Sequence, residues 1–282
     1  MITNFKKTAL MLILLTLSLG ILNAMIEVKG IIADNNTVSV NGVKLEYENS
    51  TIIESEFTGQ KFTFDGSSGD VKLSGVKEKR CKLIINYFEY EKGDATIYIN
   101  IDKLAYKTKS GKPVFISSLT GSLPENTDLA IDISSGDIDL DSFNNLEQLY
   151  LNSGSGNIKL ANIDEIMQII ADTGSGRIRV RDIYNANMVD FNTGSGDIFM
   201  ENCSNIFKMV GDTGSGNIKM NKIVCSDVQL DTGSGDIYLL ESIVQNLEAD
   251  TGAGNVILKG TNIKKQNIST GSGEVFYNDN SK

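Results

Sequence analysis

The sequence predicts an all-β protein, a parallel β-solenoid (β-helix) of 19–20-residue coils behind an irregular β-rich amino-terminal cap. A string of the form Gly-Ser-Gly-x-Ile recurs with its second glycine at Gly136, Gly156, Gly176, Gly196, Gly216, Gly235, Gly254 and Gly273. The period is 20 residues four times and then 19 three times, the range in which repeats stack as solenoids. Each second glycine is followed by two apolar residues separated by one variable residue, from Ile138 and Leu140 to Val275 and Tyr277, the period-2 mark of a strand with one buried face. A helical stripe is absent, and glycine pairs would interrupt a helix in every repeat.

In chain order, residues 1–24 read as an export signal or an amino-terminal membrane anchor. Lys6 and Lys7 precede an uncharged run from Thr8 to Ile26, a basic n-region followed by an apolar h-region. Small-residue cleavage sites end at Gly20 and Ala24, and the run is also long enough to cross a bilayer uncleaved. Membrane contact is expected only through residues 8–26, in the uncleaved case. Residues 25–125 form the cap, with strands through Thr37–Val40, Lys61–Phe64, Lys82–Phe88 and Ala95–Ile101. The turn Glu91-Lys92-Gly93-Asp94 predicts that the last two form a hairpin. Ser67-Ser68-Gly69-Asp70-Val71 repeats the corner chemistry far upstream of the array. Residues 126–277 are the repeats and 278–282 a polar tail.

Within the array a second alternating apolar pair precedes each corner, from Leu149 and Leu151 to Leu247 and Ala249, and a further apolar position lies between, at Phe143, Ile163, Ile183, Cys203 and Ile223. Stacked at ~4.8 Å, eight coils make a rod of roughly 38 Å. No coil buries its Ile and Leu alone; only the stack makes a core. The corners Gly136, Gly154, Gly156, Gly174, Gly176, Gly194, Gly196, Gly214, Gly216, Gly233, Gly235, Gly252, Gly254, Gly271 and Gly273 account for most of the chain's 27 glycines. They are expected to accept positive φ and to allow close backbone approach. Inward hydroxyls from Ser153 and Thr173 to Thr270 are placed to bond along the ladder and satisfy corner carbonyls.

The run Leu123-Pro124-Glu125-Asn126-Thr127-Asp128-Leu129-Ala130-Ile131 leads straight into Ser135-Gly136-Asp137-Ile138. This combination, with an exported and irregular β-rich start and tandem Ser-Gly-Asp-Ile units, resembles the bacterial "putative adhesin" domain family of unknown function. The resemblance covers roughly residues 60–280; it implies a β-repeat fold and carries over no catalytic residues.

Composition narrows the chemistry. The chain has no His, so imidazole-based nucleophile pairs, general bases and metal sites are excluded. Its net charge of −10 opposes nucleic-acid binding. No cofactor is implied. The strings Asp172-Thr173-Gly174-Ser175, Asp212-Thr213-Gly214-Ser215, Asp231-Thr232-Gly233-Ser234 and Asp250-Thr251-Gly252-Ala253 match the short aspartic-protease signature. A protease needs two such carboxylates about 3 Å apart, and here the string is one solenoid corner repeated. Asp212, Asp231 and Asp250 fall one rung apart, an arrangement open to Ca²⁺ or to Asx turn bonding. In the column after the second glycine, Asp and Asn alternate apart from Arg177, so amides separate the charges. Cys81, Cys203 and Cys225 have no Cys-x-x-Cys spacing; Cys203 sits in a core column as a buried thiol, and a Cys203–Cys225 bridge is left open. The outward column two residues further on holds Phe199, Tyr238, Ile257 and Phe276, a strip able to stack sugars or dock a partner, or to be covered.

The expected protein is therefore an exported, extracytoplasmic, non-enzymatic binding or scaffolding module of adhesin type. Its partner would be a polysaccharide, an envelope component or a surface protein. Two alternatives stand beside it: a carboxylate-dependent polysaccharide lyase or hydrolase, since β-helices host such enzymes, and an envelope-stress or assembly scaffold that self-associates through the carboxyl-terminal coil, whose strand edge is uncapped.

Overall fold

The computed structural model describes residues 31–34, 37–66 and 68–278, so residues 1–24, expected from the sequence to be an export signal or anchor, and the end of the polar tail lie outside the described residues. Every regular element among them is a strand. β1 (Ile31–Asp34), β2 (Thr37–Val40) and β3 (Val43–Leu45) make a small antiparallel sheet. β4 (Tyr47–Glu56), β5 (Lys61–Gly66), β6 (Asp70–Val76), β7 (Arg80–Glu89), β8 (Ala95–Asn100), β9 (Lys103–Thr108) and β10 (Phe115–Pro124) precede β11 (Asp128–Ile133). β12 (Ile138–Ser153), β13 (Ile158–Thr173), β14 (Ile178–Thr193), β15 (Ile198–Thr213) and β16 (Ile218–Thr232) each run most of one coil. The last coils divide into β17 (Ile237–Leu240), β18 (Ile243–Thr251), β19 (Val256–Lys259), β20 (Asn262–Thr270) and β21 (Val275–Asn278).

Each coil has three sides. In β13 the first side is Ile158 to Ala161, closed by a left-handed bend at Asn162 (φ 54°); the short second side carries Ile163 and ends at Glu165 (φ 52°); the third runs from Ile166 to Thr173. The in-register parallel ladder stacks Ile on Ile at Ile158↔Ile178 and Thr on Thr at Thr173↔Thr193. The first bend recurs at Ser142, Asp182, Asn202, Lys222 and Glu241, and at Gly260; the second recurs at Asn145, Asn185 and Asn205. Asn is frequent here because it tolerates the left-handed region better than most residues. Shortening from 20 to 19 residues falls at the second bend: β16 keeps Lys222, has no second positive-φ residue, and brings Cys225 over Ile206.

The Gly-Ser-Gly corner corrects one expectation. Of the fifteen corner glycines only Gly136 has a left-handed φ (118°). The others are needed for close approach: a methyl group on Gly156, Gly176, Gly196, Gly216, Gly235, Gly254 or Gly273 would drive into the carbonyl oxygen of its counterpart one coil below. At six of the corners the adjoining hydroxyl ties two coils together. Thr193 Oγ1 donates to Gly176 O on the preceding coil (2.9 Å) and accepts from Gly196 N on its own (3.0 Å). Ser153, Thr173, Thr213, Thr232 and Thr251 repeat the bridge. All six are buried, so these bonds satisfy backbone groups that water cannot reach.

The upstream corner proves to be part of the stack. β5 pairs in parallel with β11, and β6 with β12 at Val71↔Ile138, so residues 61–76 form the coil beneath Gly136 although some fifty residues intervene. That excursion builds the cap. β10 lies parallel to β6, and β7 pairs antiparallel with β10 on one edge and β4 on the other. Leu83, Ile85, Leu119 and Leu123 are fully buried and join one hydrophobic core that runs from Phe57 to Leu258. The predicted hairpin at Glu91–Asp94 is overturned: β8 pairs with β9, not β7. The buried Glu89 carboxylate accepts from Gly93 N and Ala95 N, both at 2.8 Å, holding the turn so that β8 leaves the β7 edge to β4 and β10.

Candidate binding face

The outward side chains of the first side follow a rule set by the coil below. At the position after the second corner glycine, the Asx oxygen accepts the backbone N–H of the equivalent residue one coil on: Asp137 from Asn157 (2.7 Å), Asn157 from Arg177 (3.0 Å), Asp197 from Asn217 (3.0 Å), Asn217 from Asp236 (2.8 Å) and Asp236 from Asn255 (2.7 Å). Asn157 and Asn255 also donate their amides to the carboxylate below, which is why Asn and Asp alternate. Arg177 is the exception. It cannot accept, and its Nε lies 3.5 Å from Asp197 Oδ2 instead.

Two residues on, the ladder reads Asp139, Lys159, Arg179, Phe199, Lys219, Tyr238, Ile257 and Phe276. The predicted strip is therefore divided. Lys219 stands between Phe199 and Tyr238 with its ammonium 5.8 Å from the Phe199 ring centre. Tyr238, Ile257 and Phe276 are contiguous; the first two are half-buried, and Phe276 is 46% exposed. The Tyr238 hydroxyl donates to Asp236 Oδ2 (2.9 Å), which, with burial, pushes its pKa up.

Two shallow concavities lie end to end along this face. One, of about 400 Å³, runs from Asp70 and Lys72 across Asp139 and Lys159 to Arg177 and Arg179. The other, of about 470 Å³, continues from Arg177 and Arg179 past Phe199 and Lys219 to Tyr238. They share both arginines, so the groove is continuous across seven rungs, from Lys72 to Tyr238. Arg181 extends the row; burial raises the nearby Asp141 carboxyl, but hydrogen bonds from Asn162 and Ser142 and the charges of Arg181 and Lys159 outweigh it and hold the pKa down. Sequence reasoning passed over this cluster, although Arg-x-Arg-x-Arg at period 2, holding three of the chain's four arginines, was visible in the residue string.

The aspartate column belongs to the third side. Asp212, Asp231 and Asp250 are successive ladder partners on its outward face. Among the described residues, no group of three or more His, Cys, Asp or Glu is gathered so as to hold a metal ion. Asp172, two coils before Asp212, has its carboxyl pushed up by burial and then by the Asp212 charge. Cys81, Cys203 and Cys225 are buried free thiols. Cys203 stacks on Ile223 and Cys225 on Ile206, in different columns, and burial pushes the Cys203 and Cys225 thiols up to about 12.

Comparison with known proteins places this architecture. Among curated proteins, none matches the chain by sequence. A solved structure from Parabacteroides distasonis ATCC 8503, named a "putative lipid binding protein", superposes with a TM-score of 0.55 at 17% identity, covering 81% of this chain and 97% of that one. A "putative adhesin" from Parabacteroides merdae ATCC 43184 gives 0.52 at 15% identity over 82% and 96% of the two chains. A second "putative adhesin" from P. distasonis gives 0.51 at 13% identity over 82% and 97%. At these identities the likeness is one of fold. The family profile of Toastrack DUF4097 matches residues 86–206 and 204–282, from the cap through the whole repeat array, and the chain belongs to that family.

Proposed function

We propose that this chain is an exported, non-enzymatic binding module of adhesin type, which presents the first-side groove of a rigid rod to a polysaccharide or other envelope component. The observation that carries the reading is the groove itself: a continuous outward face across seven rungs, built without a single loop insertion in the array. A lyase or hydrolase on a β-helix needs long loops to wall a cleft around paired carboxylates, and coils of 19–20 residues leave no chain for them. The adhesin names of the fold neighbours agree with this reading. Lys6, Lys7 and the apolar run to Ile26 agree with export, as a cleaved signal or a retained anchor.

The test is a glycan array and a pull-down from envelope extracts with the full chain, beside a variant carrying Arg179→Ser and Phe199→Ser. Retention of a glycan or envelope component by the parent and its loss in the variant is expected. Retention of nothing, equal retention by both proteins, or cleavage of a bound polysaccharide overturns the proposal.

A second reading has its own observation. Among the described residues β20 and β21 end the ladder, with Phe276 46% and Tyr277 59% exposed, an edge that a second copy could extend. Sedimentation of the full chain would show concentration-dependent dimers abolished by Tyr277→Lys; a monomer at all concentrations removes this reading.

A further inference from the structure

The coil that begins at Gly176 breaks the column rules of its neighbours. Arg177, immediately before β14, alternates with Arg179 and Arg181 within it, so the three exposed arginines share one face at one rung. Arg177 stands where the adjacent coils place an Asx residue, and the Asp197 amide meets an arginine there instead of a side-chain oxygen. That position forgoes the Asx ladder bond and keeps one solvent-facing ion pair to Asp197, which leaves guanidinium N–H groups for a ligand.

We propose that Arg177, Arg179 and Arg181 are the anion-binding centre of the groove and that its ligand is an acidic polysaccharide lying along the first side across successive rungs. The inference rests on the binding-module reading above and adds the ligand class. A chain of net charge −10 has gathered Lys72, Lys159 and Lys219 around the three arginines on this face. Acidic groups facing them are partly engaged: Asp197 with Arg177 (3.5 Å), Asp182 with Arg181 (3.4 Å), and Asp139 with Lys159 (3.3 Å) and Lys72 (3.9 Å). Arg179, at the centre, is exposed and has no ion-pair partner among the described residues. Its planar fork suits carboxylate or sulfate oxygens in pairs. Phe199, one rung on, is half-buried with the Lys219 ammonium 5.8 Å from its ring centre, and adds apolar surface against which a sugar can pack.

The shape selects a polymer. The groove spans several rungs at ~4.8 Å each, close to the length of one sugar unit in an extended chain, so charges along a polysaccharide meet basic side chains on successive coils. Both concavities that hold the arginines are open and lined largely by charged and polar side chains, so a lipid headgroup would use only one point of a long face.

Binding of the full chain to pectate, alginate, hyaluronate and heparin, against neutral dextran and against phosphatidylglycerol vesicles, tests this. At least one acidic polysaccharide is expected to bind, weakening as salt rises, with Arg179→Ser lowering affinity about tenfold or more and Arg179→Lys falling between. Arg177→Asn separates ligand binding from folding: restoring the Asx column should raise the thermal midpoint while weakening polysaccharide binding. No acidic polysaccharide bound, binding indifferent to the arginine variants, or preference for the vesicles overturns the proposal. Neutral glycans retained on the array through Phe199 would sink the acidic ligand yet leave the binding-module reading intact; nothing retained at all would sink both.

Discussion

Gly196 and Gly273 occupy the same place in the same corner motif, but one has coils on both sides and the other closes the stack. Around Gly196 the Thr193 hydroxyl reaches down to Gly176 O, and Gly216 packs on the coil from above. Around Gly273 the Thr270 hydroxyl turns back to Gly273 O within its own coil (2.8 Å), whereas Thr251, one coil earlier, still bridges to Gly235 O. Gln266 stands over Leu247 where interior coils place an apolar residue, and Ile263, Ile268 and Val275 are only partly buried. The motif specifies the shape of a coil, and its neighbours supply the stability. The amino-terminal end meets the same need differently, covering residues 61–76 with β10, β7 and β4.

The widest gap between middle and end should come from the corner. Gly196→Ala forces a methyl group into the Gly176 carbonyl of a coil held from both sides, and should cost about 3 kcal/mol or more in urea unfolding. Gly273→Ala makes the same clash against Gly254, but the last coil can lift away, so its cost should stay under about 1 kcal/mol. Equal losses at the two sites would mean that the last coil is as firmly held as the middle ones.

A smaller gap should follow from the hydroxyl bridge. Thr193→Val keeps shape but leaves Gly176 O and Gly196 N without their buried partner, which should cost about 1–3 kcal/mol. Thr270→Val removes one partly buried bond within a single coil and should cost a few tenths of that. If Thr270→Val proved the more damaging, the hydroxyl would be shaping the corner rather than joining coils.

These contrasts also show what a residue string reveals about such a fold. The inward columns were legible because each is the same apolar residue type at a fixed offset, as with Ile138, Ile158, Ile178 and Ile198. The two left-handed bends were not, because Glu165, Lys222 and Glu241 stand where other coils place Asn or Asp, so no single residue type marks the position. The coil at residues 61–76 carried its corner motif, but nothing local shows that a chain leaving at Val76 returns above it at Asp128. The β7–β8 turn misled because a good turn sequence does not say whether its flanking strands pair with one another; the Glu89 carboxylate decided that. On the binding face, the aromatic column was read and the arginine row was not, since Arg177 was weighed only as a break in the Asx alternation.

The smallest effect expected concerns charge, and its sign can be fixed. Asp172 sits between Asn152 and Asn192 on the third side, with coils above and below, and burial first and the Asp212 charge second push its pKa above the ordinary aspartate value. A folded-state pKa above the unfolded one means that the folded chain holds this proton more tightly. The resulting stabilisation is fully present below the ordinary aspartate pKa and is lost as pH rises through the raised one. Asp172→Asn, neutral at every pH, should therefore match the parent in acid and gain a higher thermal midpoint as pH climbs past that window. Asp212→Asn in the parent should shrink that gain without removing it, because burial is the larger cause. A midpoint difference that stayed constant with pH would assign the effect of Asp172→Asn to hydrogen bonding with Asn152 or Asn192 and remove the charge from the account of why Asn and Asp share this column.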